Sequence, residues 1–230
     1  MASHPHLLKS FDDGLEGLRR SFRRLGDMAA DNVTQATVAY LAQDEARALE
    51  AINRDLDIDA AFEQVRAECF DVLLRFQPVA RDLRLVMGIE HAVSNLERAG
   101  DHAKTIARHV ISTAGPAKPQ SQDRQIKDMA GLVSHTLSLS VTALVTQSTE
   151  LAKQVLASDA RIDAYKDAVF DAALASLKQD PGEAQAHVSR LFVATALERI
   201  GDHATNIAEE VLFLSRGVPP GATRTRSGLE

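Results

Sequence analysis

The sequence predicts an all-α protein made of two tandem three-helix-bundle repeats, with six long helices and short helices between them. Three observations carry this. Ala and Leu dominate the apolar residues, aromatic residues make up only 4% of the 230, and Trp is absent. Strands are enriched in aromatic and β-branched side chains, so this composition favours packed helices. Apolar residues recur at helical spacing over long stretches. Finally, one pattern occurs twice: residues 96–110 read LERAGDHAKTIARHV and residues 197–211 read LERIGDHATNIAEEV, identical at ten of fifteen positions.

Residues 7–41 contain no proline and read as one long helix. Gln43-Asp44 offers a cap, after which Glu45 to Asn53 reads as a short helix. A second long helix is predicted from Asp55 to Phe76, with Ile58, Phe62, Val65, Cys69, Val72 and Leu73 at helical spacing. Gln77-Pro78 marks a turn, since the residue before proline avoids the helical region. A third long helix follows from Ala80 to Ile111. Ser112 to Ser121 (STAGPAKPQS) reads as a linker. The pattern then repeats: a long helix over 124–147, a short one over 150–156, a long one over 159–178, a turn at Asp180-Pro181-Gly182 and a last helix over 183–215. This gives a first repeat at 1–113, a linker at 114–121, a second repeat at 122–216 and a tail at 217–230.

A net charge of −6 disfavours nucleic acid and anionic membrane surfaces as partners, because both need clustered basic residues. No stretch reads as a membrane span and the N-terminus lacks the apolar core of a signal peptide. The single cysteine, Cys69, excludes an internal disulfide and points to a reducing, cytoplasmic setting. Its place in a helical pattern marks it as a packing residue.

The acidic residues carry the functional argument. Glu97 and Asp101 are four apart on a helix and share a face, as do Asp55 with Asp59, Asp159 with Asp163, and Glu198 with Asp202. When each hairpin is folded at its proline turn, Asp59 lies 19 residues before Pro78 and Glu97 19 after it, and Asp55 lies 23 before and Asp101 23 after. In the second repeat both pairs centre between Asp180 and Pro181. Each repeat therefore places four carboxylates at about one level on two neighbouring helices. Four clustered carboxylates repel and a bound cation reverses that. Oxygen donors suit hard ions such as Mg²⁺, Mn²⁺, Ca²⁺ or iron rather than a thiolate-type zinc site. Any single pair reads more simply as solvated surface, and Asp55 and Asp159 as helix caps. The alignment across a turn, repeated twice, favours a metal site. Gly100 and Gly201, within the acidic pairs, read as permitting close helix approach. His102 and His203 are turned about 100° from the acids and read as packing residues.

These residues resemble the PhoU family. The resemblance rests on the repeated ER-x-GDHA-x-x-IA, the upstream D-x-x-ID, and Gln77-Pro78-x-Ala80-x-Asp82-Leu83-Arg84, and it spans residues 7 to 216. It implies a pair of three-helix bundles whose acidic motifs bind iron or other ions, Mg, Mn or Zn among them. The implied ligands are Asp55, Asp59, Glu97, Asp101, Asp159, Asp163, Glu198 and Asp202. It further implies a non-enzymatic negative regulator of phosphate-starvation signalling. Such a protein acts through the phosphate-specific ABC transporter and a sensor histidine kinase, and reaches the membrane only through its partners. Exposed helical faces make a homodimer a reasonable expectation. The halves differ: Thr105 and Arg108 stand where the second repeat has Asn206 and Glu209, and the second repeat lacks the QP-x-A-x-DLR segment. Asp82 and Arg84 read either as partner contacts or as an ordinary helix-start charge pair. A pyrophosphohydrolase would need ExxE with ExxD spacing, and a ferritin-type di-iron site Glu-x-x-His, neither of which occurs at these positions. A metal-free interaction module is the third reading.

Overall fold

A computed structural model describes residues 9–112, 121–179, 182 and 184–216. Six helices run in order: α1 (Lys9–Ala42), α2 (Glu45–Phe76), α3 (Ala80–Ser112), α4 (Ser121–Thr146), α5 (Thr149–Gln179) and α6 (Ala184–Arg216). Most of the linker reading (114–121) and all of the tail reading (217–230) lie outside the described residues, as does most of the second turn.

The predicted short helices are not separate elements. Glu45–Asn53 and Glu150–Leu156 are the first turns of α2 and α5, continuous with the long helices that follow. Neither Gly nor Pro interrupts either junction, so nothing in the chain stops the helical ladder. The breaks at Gln43-Asp44 and after Gln147 stand as read, and the chain has no second break before Asp55 or Asp159. Gln43 and Gln147 take the left-handed conformation at φ 52° and 53°. In both turns the following N–H reaches back five residues, Asp44 to Ala39 and Ser148 to Ala143, which satisfies helix-end carbonyls in the same way. Asp44 then caps α2 by accepting from the Arg47 N–H at 3.1 Å, and Ser148 Oγ accepts from Leu151 N–H at 3.3 Å. Gln77, also left-handed, closes α2 with its N–H on Leu73 O.

Each repeat packs its three helices on one another, and the two bundles join through equivalent helices, α1 against α4 and α3 against α6. Both joints are antiparallel. Thr34 Oγ1 meets Ser134 Oγ at 3.2 Å between α1 and α4, while the His102 and His203 rings stack between α3 and α6. The bundles are thus related by an approximate twofold axis. One apolar core runs through both, with Phe22, Leu25, Ile89, Leu96, Leu137 and Leu197 fully enclosed. Cys69 lies within it, Sγ facing Val86 O at 3.9 Å, and burial pushes its thiol up to about 12. That agrees with a packing role.

One sequence reading needs correction. Residues 122–146 of α4 are long and apolar enough, by length and composition, to cross a membrane. More than half of that window is buried inside the fold, so its apolar residues serve core packing.

Close approach between helices depends on missing side chains. A Cβ on Gly26 would stand 2.5 Å from Cγ2 of Val141 on α4, whose branched carbon has little freedom to turn away. By contrast, a Cβ on Gly131 of α4 would meet nothing within 4 Å. Gly26→Ala is expected to destabilise the fold by about 1–3 kcal/mol through overpacking. Gly131→Ala should stabilise it by roughly 0.5–1 kcal/mol through helix propensity alone. Urea-unfolding midpoints of the two variants check this, and a Gly26→Ala protein as stable as the parent would contradict the α1–α4 packing.

Candidate functional site

The acidic pairs stand on the hairpins α2–α3 and α5–α6. In the first, Asp55 lies in the interior of α2 and is almost wholly buried, at 1% exposure. Asp59 is exposed one turn later, Glu97 is half-buried on α3, and Asp101 is exposed. In the second, Asp159 and Glu198 are half-buried and Asp163 and Asp202 exposed. Asp55 and Asp159 are therefore mid-helix residues and not caps.

The four acids of each repeat stand near enough to act on one another, as their equal distances from the turn predict. Partial burial lifts the Asp59 carboxyl above its ordinary range, and the charges of Asp55 and Asp101 add to this while Lys104 opposes it. Glu97 is raised by burial, then by Asp101, Asp59 and Asp55. The second quartet behaves alike. Asp159 is raised by burial, Asp163 and Glu198, and Asp202 by burial, Glu198, Asp159 and Asp163, with Lys166 opposing. Each quartet thus shares one electrostatic environment.

Glycine makes this proximity possible. A Cβ on Gly100 would meet Ile58 Cγ2 at 3.2 Å and Asp55 Oδ1 at 3.4 Å, and one on Gly201 would meet Ile162 Cδ1 at 2.9 Å. The predicted role of these glycines holds.

Two residues of the site were missed by sequence reasoning. Lys104 on α3 donates to Asp55 Oδ2 on α2, and Lys166 on α5 donates to Glu198 Oε1 on α6 at 2.8 Å. Both ammonium groups are pushed above their ordinary range, first by these hydrogen bonds. The signal was present in the chain, because each lysine lies three residues after the second acid of its own helix and seven after the first, on the same face.

The donors are chemically suited to a hard cation, but their arrangement does not fit one. A divalent ion needs several oxygens converging on a point. Among the described residues, no three His, Cys, Asp or Glu side chains converge in that way. In each quartet a lysine holds one of the carboxylates instead.

Between the quartets, His102 and His203 stack with ring centroids 5.6 Å apart. His203 Nδ1 lies 3.1 Å from Asn95 Oδ1, which also accepts from Asn206 Nδ2 at 3.3 Å. Asn206, which differs from its repeat partner Thr105, thus joins the two bundles. The rings point off the acids as predicted, but their mutual contact follows from the twofold arrangement, which brings equivalent residues of α3 and α6 face to face.

Burial, then His102, Arg98 and Arg199, push the His203 imidazole from 6.5 down to about 4. Between those values the unfolded chain holds a proton that the folded chain lacks. This contribution to stability is therefore complete above pH ~6.5 and is lost as pH falls toward 4. The raised carboxyls act in the opposite sense, since protonating them in the folded state relieves repulsion. His203→Asn removes only the first effect. Between about pH 7.5 and about pH 5 the parent should lose more stability, or gain less, than this variant in urea unfolding. Parallel pH profiles would contradict it.

The family model of the PhoU domain matches the chain twice, at residues 22–110 and 126–211. A relative from Rhizobium meliloti, a phosphate-specific transport system accessory protein PhoU homolog, is 32% identical over 99% of this chain and 96% of its own length. A protein of the same name from Xylella fastidiosa is 33% identical over 94% of this chain and 90% of its own. The crystal structure of PhoU from Pseudomonas aeruginosa superposes with a TM-score of 0.83 at 28% identity, covering 90% of this chain and all of that one. The Rhizobium and Xylella relatives are named as accessory proteins and not as enzymes. Two matched domains, relatives aligned along nearly their whole length and a shared six-helix fold place this chain in the PhoU family.

Proposed function

We propose that this chain is a regulatory accessory protein of phosphate-specific transport, working at the cytoplasmic side of the membrane and reaching it only through its partners. It binds cytoplasmic portions of the phosphate ABC transporter and a sensor histidine kinase, and biases the kinase away from autophosphorylation when phosphate is plentiful. The observation that carries this reading is coverage: relatives named as accessory proteins of phosphate-specific transport align with both repeats, across 99% of the chain in one case and 94% in another.

The surface supports a role in binding other proteins. The tip of the α2–α3 hairpin exposes Phe70, Leu74, Val79, Leu83 and Met87. Phe70 pairs in height with Met87, and Leu74 with Leu83, about the Pro78 turn. Clustered exposed apolar side chains are a mark of interaction surfaces. Asp82 and Arg84, left open by the sequence, flank this tip.

A strain lacking the chain is expected to express its phosphate-responsive genes constitutively in high phosphate, and a reporter fusion reads this directly. Normal repression in that strain would sink the regulatory reading. Leu74→Asp/Val79→Asp should fail to restore repression while melting at the parent temperature, since both side chains already face water, at 78% and 74% exposure. Full complementation would remove this tip from the partner surface.

A further inference from the structure

Both quartets face the same problem. Four carboxylates per hairpin repel, and Asp55 is nearly sealed from water, where an unpaired carboxylate is strongly disfavoured. The cation that answers it belongs to the chain in each case, Lys104 on Asp55 and Lys166 on Glu198.

These lysines are not inherited with the repeat. The position equivalent to Lys104 is Thr205, and the one equivalent to Lys166 is Phe62. The first lysine comes from the second arm of its hairpin (α3), and the other from the first arm of its own (α5). Even so, each lies on the acidic face of its helix and crosses to a carboxylate of the opposite arm. Lys104 sits three residues farther from its turn than Asp55, and Lys166 three residues nearer its turn than Glu198. Three residues are about 4.5 Å along a helix, a gap that a lysine stem spans. Two unrelated positions therefore deliver the same ammonium to the same kind of cluster.

We propose that Lys104 and Lys166 are the resident counter-ions of the two carboxylate clusters, tethered where a metal ion would otherwise sit, so that both hairpins stand without metal. The ammonium groups also tie α2 to α3 and α5 to α6 beside Gly100 and Gly201. Asp59, Asp101, Asp163 and Asp202 remain exposed around them.

The test uses the full chain, purified untagged and without chelator. Plasma mass spectrometry should find divalent metal well below one ion per chain, and EDTA should leave the melting temperature unchanged. Lys104→Met strips Asp55 of its partner and should lower the melting temperature by on the order of 5–10 °C. Lys104→Met/Asp55→Asn should recover most of that loss, because the stranded charge is gone. Added Mg²⁺ or Mn²⁺ should raise the melting temperature of Lys104→Met but not of the parent. Should Lys104→Met not fold, Lys166→Met gives the same comparison at the more exposed cluster, with a smaller shift. The proposal is overturned if the parent carries stoichiometric metal and loses stability in EDTA. It is equally overturned if Lys104→Met melts with the parent, or if added ions stabilise both alike.

Discussion

The closeness of the helix axes is the constraint on which the rest of the molecule depends. At Gly100 and Gly201 the facing isoleucines, Ile58 and Ile162, occupy the space that a side chain would need. At Gly26 the facing residue is Val141, on the other bundle. Mid-helix glycine costs about 1 kcal/mol relative to alanine, and packing contacts across the narrowed gap offset it. Where the gap narrows within a hairpin, acids on its two arms come near enough to act on one another. Where it narrows between bundles, two three-helix units share one core.

That closeness creates the electrostatic problem and also confines its solution. Carboxylates on a wider hairpin would each keep their own water. Here Asp55 is enclosed, and the helix that encloses it also supplies Lys104. The pair is weak evidence for net stability, because desolvating both ions costs about as much as their attraction returns. A hairpin shifted in register would strand Asp55 without its lysine, so the pair disfavours that alternative. The exposed acids around each lysine keep the surface negative, consistent with the overall charge of −6.

The two repeats share a backbone plan more faithfully than a set of side chains. Both turn at a left-handed glutamine, both carry two acidic pairs, and both use a glycine beside them. They differ in which arm supplies the lysine and in Asn206, which reaches Asn95 across the bundle joint. They differ also in their buried polar residues: His187 and Arg190 are enclosed in α6, where the first repeat has Val86 and Ile89. The joint itself is made by equivalent helices meeting antiparallel, and residues near the axis therefore meet their own counterparts. The stacked histidines are the clearest instance.

The sequence by itself determined the helical class, the repeat, four of the six long helices to within a few residues and the common level of the four acids in each repeat. All of these follow from local spacing, whether 3.6 residues per turn or equal distance from a proline. It added a break inside α2 and inside α5, because an acid such as Asp55 reads as a cap until its burial is known. Only the tertiary structure decided which cation meets which acid. A lysine stem reaches several ångströms in many directions, and its partner is chosen by whichever carboxylate the neighbouring helix presents and encloses. It likewise decided that α1 meets α4 and α3 meets α6, because the pairing of apolar faces between bundles depends on shape across the joint and leaves no periodic mark in the chain.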